Sequence, residues 1–272
     1  MPTRAINGVR LYYERHGDSG EPLVFVHGYS GDISDWRPQL PEFSPAYRVL
    51  VMDLRGHGRS EAPSDRSAYT VAQMARDVET LVAEVGFERY HLVGHSMGGA
   101  IAQEIALRNP QRLLSLTLED TSLKFEATSD DAMTEWRRNR HALAVNEGMA
   151  AAAALPMPDT PPHMPAERME ETAARLSRMS LDAFVGAMIG LLQWEGTAER
   201  ASAISTPTLI VYGDLDSPAL IAAMLWLAEL IPNATVEVIP EAGHSPQWER
   251  PELFNRALRR HLGAHRAAGR NS

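Results

Sequence analysis

Cysteine is absent from the 272-residue chain, which excludes disulfides and thiolate metal sites. Long apolar runs are missing too, and no stretch approaches the roughly 20 residues that a membrane-spanning helix needs. Residues 1–4 run into polar sequence without the apolar centre of a secretion signal. Together these absences predict a soluble cytoplasmic protein.

Positive charge is scarce and scattered. The chain has 26 basic residues against 35 acidic ones, a net charge of −9, and Lys124 is its one lysine. The arginines are interleaved with acids, whereas a surface that binds nucleic acid needs a basic face. We therefore expect a small-molecule partner rather than nucleic acid. The sequence leaves a monomer and a homodimer open.

Strand-like runs alternate with helix-forming segments along most of the chain. Asn7-Gly8 predicts a hairpin turn between two short antiparallel strands at residues 4–14. Strand-like runs occur at 23–26, 49–52, 90–93, 113–118, 207–212 and 235–239, and the continuous apolar run at 23–26 is typical of a strand buried on both faces. Helices are predicted at 70–85, 100–107, 219–230 and 251–262. This alternation predicts the α/β class, with helices on a mostly parallel sheet.

Residues 121–200 differ in character from the rest. They hold seven of the twelve methionines and two of the five tryptophans, and no strand-like run. We interpret them as a helical cap inserted into a core made of residues 1–120 and 201–272. Methionine and aromatic side chains adapt to irregular apolar ligands. The cap residues predicted to line a substrate pocket are Trp136, Met157, Met188 and Trp194.

The segment Gly94-His95-Ser96-Met97-Gly98 lies between a predicted strand and a predicted helix. A serine at so tight a turn adopts a strained backbone conformation and tolerates nothing bulky two residues to either side, which explains both glycines. The turn also places Ser96 at a helix N-terminus, where free N–H groups favour a developing negative charge. Ser96 is therefore the predicted nucleophile.

A serine hydroxyl needs a base to take its proton and an acid to orient that base. His244 follows the last strand, next to Gly243, and could supply the base. Asp214 and Asp216 follow the preceding strand, and their residue type and position leave both open as the acid. His57, between two glycines, is expected to fix loop geometry instead.

These motifs resemble those of the α/β-hydrolase superfamily over about residues 5–262. The resemblance is carried by His27-Gly28 after a strand, the loop at 53–60, the serine turn, Gly213-Asp214-Leu215-Asp216 and Gly243-His244-Ser245-Pro246. It implies the fold of that superfamily, an eight-stranded and mostly parallel sheet flanked by helices, with an inserted helical cap. It also favours Asp216, three residues after the glycine of a Gly-x-x-Asp pattern. A minority of relatives place the acid after the strand that follows the serine helix, which makes Asp120 the alternative.

The resemblance implies a serine hydrolase of carboxylic esters or lactones that needs no metal and no organic cofactor. Ser96 would form an acyl-enzyme, His244 would take the proton, and Asp216 would hold the imidazole. The backbone N–H groups of Tyr29 and Met97 would bind the oxyanion. Enol-lactones and acyl-homoserine lactones are among the expected substrates.

Three alternatives stay open. Within the superfamily they are a cofactor-free haloperoxidase or perhydrolase, and a hydrolase of carbon–carbon bonds, although the latter often has Asn at the position of His95. Epoxide hydrolases and haloalkane dehalogenases are disfavoured because they carry an aspartate at the position of Ser96. Outside the enzymes, the alternative is a small-molecule receptor on the same scaffold, which multiple turnovers on p-nitrophenyl esters would exclude.

Overall fold

The fold is described from a computed structural model that defines residues 2–125, 132–156 and 162–266. The strands are β1 (Thr3–Ile6), β2 (Val9–His16), β3 (Glu21–Val26), β4 (Tyr47–Met52), β5 (Tyr90–His95), β6 (Leu113–Glu119), β7 (Thr208–Gly213) and β8 (Ala234–Ile239). They form one sheet in the order β1-β2-β4-β3-β5-β6-β7-β8. The β1–β2 and β2–β4 pairs are antiparallel and the other pairs are parallel. The predicted α/β-hydrolase fold is therefore confirmed, including its eight-stranded and mostly parallel sheet.

Helices cover both faces of the sheet. They are α1 (Leu40–Phe43), α2 (Val71–Glu84), α3 (Met97–Arg108), α4 (Ala132–Glu147), α5 (Met149–Ala154), α6 (Ala166–Arg178), α7 (Leu181–Leu192), α8 (Pro218–Leu230), α9 (Pro246–Glu249) and α10 (Pro251–Ala264). Among the described helices, none combines the length and the apolar character that crossing a bilayer requires.

Strand β3 illustrates why a central strand of this sheet can have a continuous run of apolar residues. Successive side chains of a strand point to opposite faces of the sheet. Val24 and Val26 join the core that contains side chains of α2 and α3, whereas Leu23 and Phe25 join the core that contains side chains of α10. Because both faces are covered, every position of the strand's interior is apolar.

The first two strands form the antiparallel edge predicted from Asn7-Gly8. Asn7 and Gly8 have φ values of 45° and 83°, the positive values that a two-residue hairpin turn requires. The turn aligns Ile6 with Val9, and both side chains are buried in the larger core.

Helices α4 to α7 all lie in the insertion, residues 121–200, and the described part of the insertion contains no strand. Side chains from these helices share a small core of their own. Helix α7 also packs on Tyr69, because Gly186 and Gly190 let the helix approach that residue closely. The division of the chain into a core and a cap remains our prediction.

Candidate active site

Ser96 lies in the tight turn between β5 and α3. Its φ of 53° and ψ of −116° place a non-glycine residue in a sparsely populated backbone region. The turn is held on both sides, because the Ser96 N–H donates to the Glu119 carbonyl over 2.9 Å and the Thr121 hydroxyl donates to the Ser96 carbonyl over 2.7 Å. The side chain does not cap α3, so its hydroxyl is left to face the neighbouring loops.

The glycines on either side of Ser96 are explained by close backbone contacts. A Cβ at Gly94 would collide with the Gly98 carbonyl oxygen, and a Cβ at Gly98 would collide with the Val26 carbonyl oxygen. The strained serine therefore depends on α3 packing directly against β5 and the end of β3.

Three predicted side chains meet at the carboxyl edge of the sheet. His244 Nε2 lies 3.1 Å from Ser96 Oγ, and His244 Nδ1 lies 2.7 Å from Asp216 Oδ2. Ser96 follows β5, Asp216 follows β7 and His244 follows β8, and the carboxyl ends of parallel strands meet at one edge. The carboxylate can only accept the Nδ1–H, so Nε2 of the neutral ring faces the serine as an acceptor.

Asp216 is held in its charged form. Burial alone would raise its pKa, but the charge and hydrogen bond of His244, the hydrogen bond from Asp120 and the Ser217 N–H lower the pKa to about 2. Asp214, the other aspartate of this loop, instead accepts the Glu241 N–H over 2.7 Å. The carboxylate that faces His244 is thus that of Asp216.

The backbone of Gly28 and Tyr29 approaches Ser96 from the end of β3. A Cβ built on Gly28 would lie 3.1 Å from Ser96 Cβ and 2.9 Å from His95 Nδ1, so only glycine fits at this contact. In the described part of the chain, neither the Tyr29 N–H nor the Met97 N–H donates to another group. The predicted oxyanion role of these two donors remains a prediction.

A cavity of about 1140 Å³ lies over Ser96 and His244, and side chains from α4 to α8 form much of its wall. Trp136 and Met188, two of the four predicted pocket residues, line it. Trp194 does not: it is buried in the larger core, where its indole N–H donates to Glu104 Oε1 over 2.8 Å. That prediction was wrong because an acceptor on α3 turns the ring away from the cavity. Met157 lies outside the described residues.

His57 has no contact with the serine or with His244 in the described structure. Its Nδ1 bonds to the Arg55 carbonyl, and its ring lies 5.1 Å from that of His27. Burial first, and then the charge of His27, lowers the pKa of His57 to about 3. These contacts agree with a role in loop geometry.

His95 is a residue whose contact the sequence did not reveal. Its Nε2–H donates to the His244 carbonyl over 2.7 Å, and the two rings are 5.0 Å apart. Burial, and then the charge of His244, lowers the pKa of His95 to about 4. His95 is therefore a neutral donor that fixes the backbone of the loop carrying His244. Its position between Gly94 and Ser96 was the only available signal.

Asp120, Asp216 and His244 offer three possible metal ligands within 4.8 Å of one another. Hydrogen bonding accounts for this cluster better than an ion does. The 2.7 Å contact between His244 and Asp216 is that of a charge-assisted hydrogen bond, and Asp120 bonds to Asp216 as well.

The family follows from comparison with known proteins. A model of the alpha/beta hydrolase fold family matches residues 21–251. The chain belongs to this family. This α/β hydrolase is 34% identical over 266 residues to the dihydrolipoyllysine-residue acetyltransferase component of the acetoin cleaving system of Cupriavidus necator, covering 95% of this chain and 68% of that protein.

Two further relatives are similar over almost their whole lengths. A candidate carbamate hydrolase, RutD of Variovorax paradoxus, is 32% identical over 91% of this chain and 94% of its own length. The crystal structure of the enol-lactonase from Burkholderia xenovorans LB400 superposes with a TM-score of 0.83 at 27% identity, covering 96% of this chain and 100% of that one. The α/β hydrolase described here is a hydrolytic enzyme.

Proposed function

We propose that this α/β hydrolase cleaves carboxylic esters or lactones through an acyl-enzyme on Ser96. The observation that carries the proposal is the continuous hydrogen-bonded path from Ser96 Oγ through His244 to Asp216, with contacts of 3.1 and 2.7 Å. The strained serine, the free N–H donors beside it and the cavity above it supply the other parts that acyl transfer needs.

The reaction proceeds in two halves. Ser96 Oγ attacks the carbonyl carbon while His244 Nε2 accepts its proton, and Asp216 stabilises the imidazolium that forms. The N–H groups of Tyr29 and Met97 bind the oxyanion, each worth roughly 3–4 kcal/mol. His244 then protonates the leaving alkoxide. A water molecule, deprotonated by His244, attacks the acyl-enzyme and releases the acid and the free serine.

The relatives support this choice of substrate class and add one competitor. The enol-lactonase from Burkholderia xenovorans shares the fold across its whole length, which favours a lactone or ester carbonyl. The candidate carbamate hydrolase of Variovorax paradoxus favours a carbamate as second substrate class. In esters, lactones and carbamates alike, the carbonyl carbon that the serine would attack is bonded to a heteroatom. Rates on matched ester, lactone and carbamate substrates therefore decide between these substrate classes.

Replacement of the nucleophile tests the proposal. Ser96→Ala should lower kcat for p-nitrophenyl acetate by roughly a million-fold, because the base and acid have no nucleophile to act on. A fluorophosphonate should label the wild type at Ser96 and leave the variant unlabelled. Ser177→Ala, on the exposed side of α6, is the matched control and should keep full activity.

The same assay addresses the receptor alternative. A hydrolase should release many equivalents of p-nitrophenol per chain at a steady rate, whereas a receptor would stop near one. If Ser96→Ala kept more than a few per cent of the activity, and the fluorophosphonate labelled a different residue, another group would be the nucleophile.

A further inference from the structure

The wall of the cavity carries a cation without a carboxylate partner in the described structure. Arg140, on α4, lies with its Cζ 4.3 Å from the centre of the Trp136 ring and 5.6 Å from that of Phe184. Its Nε is buried, and no acceptor in the described part of the chain bonds to it. A buried N–H that has no acceptor is costly.

A second donor without an acceptor lies on the preceding turn of the same helix. The Nε1–H of Trp136 is also buried and also has no partner among the described residues. Residues four apart lie on one face of a helix, and both line the cavity. An indole and a guanidinium can only donate, so the ligand group that satisfies both must be an acceptor.

Two other cations of the wall already have carboxylate partners. Arg168 and Arg175 form ion pairs with Asp35. Burial and the charge of Arg137 lower the pKa of Arg140 to about 10, which leaves the guanidinium charged at neutral pH. A charged guanidinium beside an indole N–H suits a carboxylate, whose two oxygens can accept from both donors.

The Tyr29 side chain relates this pair to the reacting atoms. Its hydroxyl donates to the Phe184 carbonyl over 2.8 Å, and it therefore accepts from His141 Nε2, also at 2.8 Å. Burial and then the charge of Arg140 lower the pKa of His141 to about 4, so that this ring is neutral. Arg140 precedes His141 in the chain. Burial raises the pKa of the Tyr29 hydroxyl, but the hydroxyl is close enough to the cation for the charge of Arg140 to oppose that rise. The Tyr29 backbone directly follows Gly28, which contacts Ser96.

We propose that Arg140 and Trp136 bind a carboxylate of the substrate, and that the natural ester or lactone carries this carboxylate several bonds from the carbonyl that Ser96 attacks. The inference rests on the proposed function and narrows its substrate class. Apolar lining from α4 and α7 would contact the methylene groups between the two ends.

Matched pairs of substrates test the proposal by catalysis. One member is the monomethyl ester of glutaric, adipic or pimelic acid, and the other is the methyl ester of the monocarboxylic acid with the same number of carbons. The wild type should prefer the charged member of at least one pair. Arg140→Gln should lower kcat/KM for that member roughly 10- to 100-fold, while the neutral ester stays within about twofold.

Two further variants sharpen the catalytic assay. Trp136→Phe keeps an aromatic ring beside Arg140 and removes the N–H, so it should lower kcat/KM for the charged ester by roughly tenfold or less. Arg178→Gln, an exposed position of α6 outside the cavity wall, removes the same charge and should change neither ester. A wild type that prefers the neutral ester at every length, or an equal loss for both members in Arg140→Gln, would overturn the proposal.

A binding measurement separates this inference from the proposed function. Calorimetry with monomethyl adipate should give a Kd for Ser96→Ala that weakens roughly 10- to 100-fold in Ser96→Ala/Arg140→Gln. If the wild type hydrolyses no ester but this difference persists, the anion subsite stands and the proposed function fails. If esters are hydrolysed and the two Kd values agree, or monomethyl adipate does not bind, the subsite fails alone.

Discussion

Asp120 and Asp216 lie side by side behind His244, and they divide one proton and one charge between them. Asp120 accepts the Gly213 N–H and bonds to Asp216. Burial first, then the charges of Asp216 and Glu119, raises the pKa of Asp120 well above its usual range. A hydrogen bond between two carboxyl groups needs one proton, and these directions place it on Asp120, which donates it to Asp216, while Asp216 stays charged toward the imidazole.

Amide substitutions should separate the two aspartates. Asp216→Asn should lower kcat on p-nitrophenyl acetate by roughly ten thousand-fold, because an amide donor in place of the carboxylate favours the wrong imidazole tautomer. Asp120→Asn keeps a donor toward Asp216 and should cost roughly tenfold at most. Asp214→Asn, on the same loop as Asp216, is the control. A greater loss in Asp120→Asn than in Asp216→Asn would move the acid to the end of β6.

The sequence could identify Ser96, His244 and Asp216 as candidates because each stands directly after a strand that is apolar enough to recognise. It could not predict that Asp120 touches Asp216. Contact between the ends of β6 and β7 depends on their being neighbours in the sheet, and strand order is not written in local pattern. The His95 contact with the His244 backbone was hidden for the same reason.

Helix α6 is fastened to the loop after β3 by buried charge. Arg168 and Arg175 both donate to Asp35, and Arg175 also donates to Asp32 over 3.1 Å. Burial would raise the pKa of Asp35, but the two guanidinium groups hold it well below its usual range. A buried pair adds little net stability over an apolar replacement, yet removal of one partner is costly.

Removal of one arginine should destabilise α6 without destabilising the sheet. Arg175→Gln leaves Asp32 and Asp35 with one guanidinium between them, so the free energy of local opening of α6 should fall by about 3 kcal/mol. Hydrogen exchange under native conditions would show this as faster exchange of α6 amides, with β5 amides unchanged. Arg178→Gln on the same helix is exposed and should alter neither. Equal acceleration in α6 and β5 would mean that the ion pairs stabilise the whole fold.

Composition could predict helices in residues 121–200, but it could not orient their side chains. Trp194 and Trp136 come from the same methionine-rich segment, and neither periodicity nor hydropathy distinguishes them. Trp194 turns to the core because Glu104 accepts its N–H, whereas Trp136 faces the cavity together with Arg140. The orientation of each tryptophan depends on whether a hydrogen-bond acceptor from a distant part of the chain lies nearby. A single sequence does not carry that information.

Buried titratable groups make the stability of the whole molecule depend on pH in two opposing directions. Burial lowers the pKa of a group of histidines, His57, His95, His141 and His261. Burial raises the pKa of a group of acids, Asp53, Glu119 and Asp120. Neutral histidines weaken the fold on acidification, while protonated acids weaken it as the pH rises. The free energy of unfolding of the wild type, measured against pH, contains both contributions. The contribution of a single group is therefore measured best as the difference between the wild type and a variant that lacks the group.

His261, remote from the serine, offers the cleanest difference. Its Nε2–H donates to the Leu116 carbonyl over 3.1 Å, and burial, then the charge of His265, lowers its pKa to about 4. Since the unfolded value is about 6.5, the unfolded chain binds more protons between these values, and the free energy of unfolding falls as the pH drops through that window. In His261→Gln, whose amide can still donate to Leu116, this dependence is lost. Urea unfolding should therefore give a difference, wild type minus variant, that is constant above pH 7 and declines by about 1.4 kcal/mol per pH unit between the two pKa values. A difference that stays constant down to pH 4 would mean that folding does not hold His261 neutral.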